Sequence, residues 1–451
     1  MRDANVGRGL AGRHVEFLAV GGTIGAGLFL GSGTGIQIAG PGLIVAYALT
    51  GVVVFIITRC LAEMALAGPG RGTFVHFVAQ YLGARTAFVC GWSYWSAAIL
   101  ASMAELTAMG ALTHAWFPAF PQWAPTFAAL IGLSALNRLH VRSLGEFEFW
   151  ITLLKILALV SFIAIGIVAL CLPVDMTPPD AAVSNLWRHG GFFPTGWSGF
   201  LSVLPFALFG YAGSELIGIA ASETDNPART LPRAVNGLVL RLLIFYVGSM
   251  CIVMMLVPWT AFSSAESPFV LVLQKMQIPA VAIVMNVVLI SALLSSCNST
   301  LFGASRVLKS LASMGGAPAS LATVNARGAP AHSTTASTVA ILITIVLNYF
   351  VPARAFGLLL SASIVCVIFN WVLFVSAHRQ FRLQPVKVPS PFRWRLPLAF
   401  NYSVMLFAAL VLLVLSRDSG FRAALLFDTA FIAALSFIAY RRLETVQALH
   451  P

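Results

Sequence analysis

Charge is what this chain lacks. Of its 451 residues, 9% are Asp, Glu, Lys or Arg and 59% are hydrophobic, and the mean hydropathy is +0.89. A soluble globular chain carries about 25% charged residues, so a soluble domain is excluded and the chain is integral to a membrane. Cysteine is scarce too. Cys60, Cys90, Cys171, Cys251, Cys297 and Cys366 lie in or beside apolar segments without CxxC spacing, which argues for small buried hydrophobes rather than disulfides or metal ligands. The histidines (His14, His76, His114, His140, His189, His332, His378 and His450) are scattered near loops and span ends, with no HExxH, so a membrane metalloenzyme has no support. A GxxxxGK[ST] loop is missing, which leaves ATP-driven transport by this chain unsupported. Residues 1–14 are polar and the first apolar run is too long for a signal-peptide core, so no cleavable leader is expected. Nothing asks for a cofactor or a metal.

What is present is a succession of apolar runs. At about 20 residues per crossing the length allows roughly a dozen helices, and charge, Pro and Gly bound them near 17–38, 42–64, 86–115, 124–137, 147–172, 198–222, 236–258, 278–311, 335–351, 355–377, 398–416 and 423–440. The net charge of +12 could suggest nucleic acid, but the basic residues sit between the runs and in the tails, as topology signals. With both termini on one side, one set of alternate loops holds 21 of the 27 Lys and Arg; Arg188, Lys275, Arg354, Arg417 and Arg422 make up the 5 of the other, and Lys155 lies within a span. By the positive-inside rule both termini are cytoplasmic.

The first and sixth spans are interrupted. Gly21-Gly22-Thr23-Ile24-Gly25-Ala26-Gly27 puts four glycines into seven residues, each weakening a helix by roughly 1 kcal/mol relative to alanine. Lipid does not tolerate unpaired backbone, so such a break must face protein, water or ligand. In the sixth span Phe209-Gly210-Tyr211-Ala212-Gly213-Ser214-Glu215 breaks the run again. Interruptions five helices apart are what an inverted five-helix repeat produces. Half-helix N-termini offer donors for a carboxylate and C-termini offer carbonyls for an ammonium, which together suit an amino acid. Glycines also serve close helix packing.

Few ionisable groups lie at depth. Lys155 is about two turns into the fifth span, where an ammonium costs ~2.5–3.5 kcal/mol or more; it either snorkels to the interface or exchanges a proton, and its apolar neighbours favour the second reading. Glu215 and Glu105 are proton-site candidates, or neutral acids joining two helices. Glu63, Glu223 and Asp225, near cytoplasmic ends, should pair with arginines. Ser295, Ser296, Asn298, Ser299 and Thr300 either meet Lys155 or an ion, or glue helices together. Tyr94 and Trp95 are pocket wall or interfacial belt. Phe209 and Tyr211 flank the sixth-span break, where a ring could cover a bound molecule.

The run 21–33, the third-span Gly91-Trp92-Ser93-Tyr94-Trp95 with Ala104-Glu105-Leu106-Thr107-Ala108, the stretch from Glu215 through Glu223-Thr224-Asp225-Asn226-Pro227 to Ala234, Ser267-Pro268-Phe269-Val270, Asn298-Ser299 with Ser305-Arg306, and Gly328-Ala329-Pro330 resemble bacterial amino acid permeases, more narrowly the amino acid transporter family of the amino acid–polyamine–organocation superfamily. The resemblance covers nearly the whole chain. It implies an all-α integral membrane fold of about twelve helices with a five-plus-five inverted repeat (1–172 and 198–377, then two extra helices at 398–440), and proton-coupled amino acid uptake in the inner membrane. The family's carboxylate site falls on Thr23, Ile24, Gly25, Ala26 and Gly27, and its ammonium-facing carbonyls near Phe209, Gly210 and Gly213, with Phe209 as aromatic gate. Lys155 matches a lysine that stands where sodium-driven members bind an ion, its implied partners being Gly22 O and Ser295 or Ser296. Departures from the family pattern at Ser93, Tyr211 and Ser214 suggest a smaller or more polar side-chain pocket. Competing functions are an amino acid exchanger and a membrane amino-acid sensor, the latter disfavoured by the lack of a sizeable cytoplasmic domain. The expected partners are an amino acid, protons and membrane lipid.

Overall fold

A continuous apolar segment satisfies its backbone polar groups by coiling, and the described apolar segments obey that constraint. The computed structural model describes residues 10, 12–68, 72–139, 141–172, 175–224, 226–263, 266–350, 352–384, 392 and 397–449. Among these, helix dominates, and the one departure toward a strand is an isolated parallel bridge between Leu10 and Thr224. Among the described residues, ten helices are long and apolar enough to cross a membrane. The short fourth helix, Trp123–Asn137, and the interrupted first segment (Gly12–Thr23, Ala26–Phe29 and Gly31–Ala39) complete a set matching the twelve expected spans.

The spans that hold the centre are the second (Gly42–Ala67), third (Ala84–Trp116), sixth (Gly196–Tyr211 and Leu216–Ala220), eighth (Pro279–Ser313) and tenth (Pro352–Leu383). In the sixth, 83% of the most apolar stretch is buried, against 17% in the twelfth, Ser419–Leu449. The fifth, Val141–Cys171, turns Trp150, Leu154, Leu157 and Val160 outward, as a lipid-facing surface requires, while Lys155 is buried completely on its other side. At 1.5 Å per residue the fourth helix is about 22 Å long, short of a ~30 Å hydrocarbon core.

Among the short helices between spans in the described residues, two are longer than a single turn and go beyond what hydropathy indicates. Phe74–Leu82 follows the second span and anchors through Phe74, whose ring is 4.7 Å from Tyr94 and 4.5 Å from Phe374. Pro268–Lys275 precedes the eighth, and its Phe269 sits 5.1 Å from Phe29 and 5.0 Å from Phe162. The connector before the sixth span is fastened to the seventh: Ala182 N–H and Asn185 Nδ2 both donate to Met255 O, at 2.9 and 3.0 Å. The seventh span, Pro227–Leu243 continued by Ser249–Leu256, carries one π-helical turn at Ile244–Gly248, a device that often re-aims side chains at functional sites.

The expected acid–arginine pairs form. Glu63 meets Arg382 at 3.1 Å and His378 at 3.0 Å, and Glu223 meets Arg306 at 2.9 Å; Asp225 lies outside the described residues. Cys60, Cys90, Cys297 and Cys366 are buried, all six cysteines are free, and Cys171 departs from expectation by being exposed at the end of its helix.

Candidate substrate and proton site

A regular helix through residues 21–28 would pair the carbonyls of Gly21, Gly22, Thr23 and Ile24 with the amides of Gly25, Ala26, Gly27 and Leu28. All of these bonds are open. Ile24 N–H still reaches Val20 O at 3.1 Å and Phe29 N–H reaches Gly25 O at 3.2 Å, so the gap is short. Gly25, with φ −140° and ψ −144°, is where the chain leaves the helix. Gly21 and Gly22 remain helical, so the opening sits later than the first glycine pair suggests.

Other spans supply partners for the orphaned carbonyls. Lys155 Nζ donates to Gly21 O at 2.8 Å and to Ile24 O at 3.1 Å. Ser296 Oγ lies 3.1 Å from Gly22 O, and Tyr246 OH donates to Thr23 O at 2.8 Å. On the donor side Gly25 N–H turns to Thr23 O at 3.0 Å. Ala26 N–H meets the Glu105 carboxylate at 3.0 and 3.2 Å. The amides of Gly27 and Leu28 have no hydrogen-bond partner among the described residues. They are the free donors of a helix start.

Glu105 and Ser296 thus splice the broken Gly22–Ala26 bond. Ser296 Oγ is 3.0 Å from Glu105 Oε1 as well as 3.1 Å from Gly22 O. One hydroxyl carries one proton, so it serves the carboxylate or the carbonyl but not both. A protonated Glu105 can donate to Ser296 and free that hydroxyl for Gly22 O. The protonation of one side chain is therefore tied to the pairing of the unwound backbone.

The sixth span opens differently. Gly213 takes φ +98°, a left-handed conformation that a Cβ disfavours, and its N–H donates to its own neighbour Glu215, 3.2 Å to each carboxylate oxygen. Gly210 O also lies within hydrogen-bond reach of Tyr246 OH, so one phenol stands between the two breaks and its single proton serves Thr23 O or Gly210 O. The two breaks meet at glycines: a Cβ on Gly27 would lie 2.5 Å from Gly210 Cα. Phe209 O and Gly213 O accept from Ala212 N–H and Leu216 N–H, each at 3.1 Å, and each keeps a second lone pair.

A narrow cavity lies between the breaks. Gly22, Thr23, Gly27, Tyr94, Glu105, Phe209, Gly213, Glu215, Ser296 and Thr300 line it, with Ala97, Ala98, Ala101, Ala212, Leu216 and Val367 forming the apolar remainder. Ile24, Gly25, Ala26, Gly210, Lys155 and Ser295 stand behind this lining. Three expectations change. Lys155 takes Gly21 O and Ile24 O in place of Gly22 O, because Ser296 already covers the latter, while Ser295 Oγ turns to Glu148. Tyr211 does not cover the cavity. It stacks on Tyr246 with centroids 4.6 Å apart, 6.2 Å from Tyr47. Ser93 and Ser214 are likewise absent from the lining, and Ser93 instead accepts from Asn370 Nδ2 at 2.7 Å, so the wall is apolar where those departures suggested polarity.

Two residues of this site carry no signal in composition or motif. Tyr246 is one tyrosine in an apolar span, aimed by the π turn. Glu148 is fully buried and sits seven positions before Lys155, two turns away on the same helix face; that spacing was the available sign.

Comparison with known proteins agrees with the geometry. The model of the family described as amino acid permease matches residues 14–446. The aromatic amino acid transport protein AroP of Salmonella typhimurium is 40% identical over 417 residues, covering 92% of this chain and 90% of that protein. The amino-acid permease AapA of Bacillus subtilis is 39% identical over 436 residues, covering 96% and 94%. The uncharacterized transporter YdgF of the same organism is 39% identical over 436 residues, covering 96% and 95%. These relatives are named as transporters and permeases, not as enzymes.

Proposed function

The chain belongs to the amino acid permease family, and from that membership and the cavity we propose that it imports an amino acid across the cytoplasmic membrane together with a proton, by alternating access. One observation carries the reading: the first-span gap, with the Gly27 and Leu28 amides unpaired and the Glu105 carboxylate on Ala26 N–H. A substrate carboxylate would take the free amides, and its ammonium would face Glu105 and the sixth-span carbonyls of Phe209, Gly210 and Gly213. Phe209 would close over it.

The apolar wall of Ala97, Ala98, Ala101 and Val367 suits an apolar or aromatic side chain, in keeping with the name of the AroP relatives. Lys155 and Glu105 are the proton groups in this reading, and Glu215 caps the sixth-span turn. Protonation can shift outward and inward states only through different environments for these groups in each; breaking the ties from Lys155 to Gly21 O and Ile24 O in the other state would supply one such difference. The 21-to-5 split of basic residues supports cytoplasmic termini, and the bundle containing the two broken helices, one from each of the repeats 1–172 and 198–377, would rock about the midplane site.

The test has two stages. A thermal-shift screen of the purified protein against the twenty amino acids, GABA and D-isomers identifies the ligand, since binding to the folded state raises the melting temperature. Uptake of that ligand into proteoliposomes, with and without an inward proton gradient, then separates symport from exchange. Accumulation that requires internal amino acid and ignores the gradient would establish the exchanger instead.

A further inference from the structure

We propose that Glu148 is a second proton-binding group, which receives the proton from Lys155 on the cytoplasmic side of the site and delivers it inward. The proposal rests on the symport reading and adds a site to it. A fully buried carboxylate is costly unless it is paired or hydrogen-bonded, and Glu148 is heavily provided for. Asn298 Nδ2 donates to Oε2 at 2.9 Å, while Ser295 Oγ and, at 3.3 Å, Thr152 Oγ1 donate to Oε1. These are donors, placed for the ionised form.

Lys155 lies two turns after Glu148 on the fifth span, and both are fully buried. Helical side chains lean toward the N-terminus, so the long Lys155 chain points back along the fifth span toward Glu148. Gly21 separates the two groups: its carbonyl holds Lys155 Nζ at 2.8 Å, and its Cα packs directly on Glu148 and Thr152, leaving no room for a side chain. A change in the first-span gap therefore moves the surroundings of both.

From Glu148 the buried polar chain continues away from the cavity. Asn298 Oδ1 accepts from Asn137 Nδ2 at 2.8 Å, and Asn137 Oδ1 is buried without a partner. Asn137 is the last residue of the fourth helix, next to Arg138, at the end that the basic-residue bias assigns to the cytoplasm.

The step balances simply. Once Nζ leaves Gly21 O, its N–H bond breaks and the proton passes to the Ser295 hydroxyl, which gives its own proton to Glu148, converting ammonium and carboxylate to amine and carboxylic acid. Water on the cytoplasmic side then takes the proton and restores the carboxylate. The other titratable groups on these elements include Arg142 of the fifth span itself, Cys297 and Lys309 of the eighth, and Arg306, which pairs with Glu223 at 2.9 Å. Glu146 pairs with Arg13 and His14, Glu16 pairs with Arg241 at 2.9 Å, and Glu105 holds Ala26. Tyr246 stands between the breaks, and Cys251 lies on the seventh span. The eighth span presents Ser295, Asn298 and Ser299.

The decisive comparison uses the full-length protein in proteoliposomes with the amino acid that thermal shift identifies. In Glu148→Gln, gradient-driven accumulation should fall at least tenfold, while equal-pH counterflow stays within a few-fold and Glu148→Asp restores the gradient response. Gradient-driven accumulation by Glu148→Gln at the wild-type level overturns the proposal, as does loss of counterflow in a variant whose melting temperature matches the wild type. If Glu148→Gln does not reach the membrane, the uptake–pH curve of Glu148→Asp decides: a displaced curve supports a titrating role, and a superimposable one contradicts it. A wild-type protein indifferent to the gradient would instead remove the symport reading itself.

Discussion

The first and sixth spans both open at glycines, yet they are held open by opposite means. In the sixth, the turn is self-contained: Gly213 supplies the left-handed residue and Glu215, two positions on, caps its amide. In the first, apart from the local bond from Gly25 N–H to Thr23 O, the stabilising groups come from elsewhere, with Glu105 from the third span, Lys155 from the fifth, Tyr246 from the seventh and Ser296 from the eighth. A locally capped turn behaves as a fixed hinge. A gap propped from outside can be re-paired whenever a proton or a carboxylate changes one of its props, and that asymmetry assigns chemistry to the first span and geometry to the sixth.

The largest expected effect tests the external props. Lys155→Ala removes the donor for Gly21 O and Ile24 O, and uptake should lose its pH dependence with at least a tenfold fall in accumulation; proton-dependent accumulation at the wild-type level would rule Lys155 out as the coupling group. Next comes the contact between the two breaks. In Gly27→Ala the methyl would meet Gly210 Cα at 2.5 Å, and overpacking of this kind costs about 1–3 kcal/mol. Uptake should fall several-fold with a lower melting temperature, and an unchanged variant would mean that the spans do not touch there.

The self-capped turn should respond more mildly. Gly213→Ala forces a side chain into φ +98°, at roughly 1–2 kcal/mol; its methyl would also crowd Gly22 O. The melting temperature should drop while the shape of the pH–uptake curve is preserved, and a displaced curve would erase the distinction between hinge and chemical site. The smallest effect is expected at Tyr211. Its hydroxyl is buried without a partner, so Tyr211→Phe should leave stability within about 0.5 kcal/mol and uptake unchanged. A large loss would return Tyr211 to a gating role.

The spans were legible because lipid imposes one rule on every crossing, and runs of apolar residues record it directly. Both breaks were legible because several glycines clustered inside one apolar helix weaken it at a single depth. Their register was not. Gly21 and Gly22 stay helical and serve close packing, and a sequence does not distinguish a glycine kept for space from one kept for its backbone freedom. Rotation about the helix axis was lost in the same way: Ser214 is beside the sixth-span break and Ser93 is next to Tyr94 in sequence, yet neither lines the cavity, whereas the apolar stripe Ala97, Ala98 and Ala101 forms its wall. Tyr246 depends on a π turn that leaves no residue pattern. Glu148 was within reach, since a carboxylate and a lysine seven apart share a helix face, but its position early in the fifth span resembled an ordinary interfacial acid.

The most direct test of the first-span account is a cryo-electron microscopy structure of the protein with its amino acid bound. The account predicts the substrate carboxylate about 3 Å from the Gly27 and Leu28 amides, with Lys155 or Glu105 re-paired around the gap. A helix hydrogen-bonded without interruption from residue 21 to 28, or a substrate seated away from that gap, would contradict it.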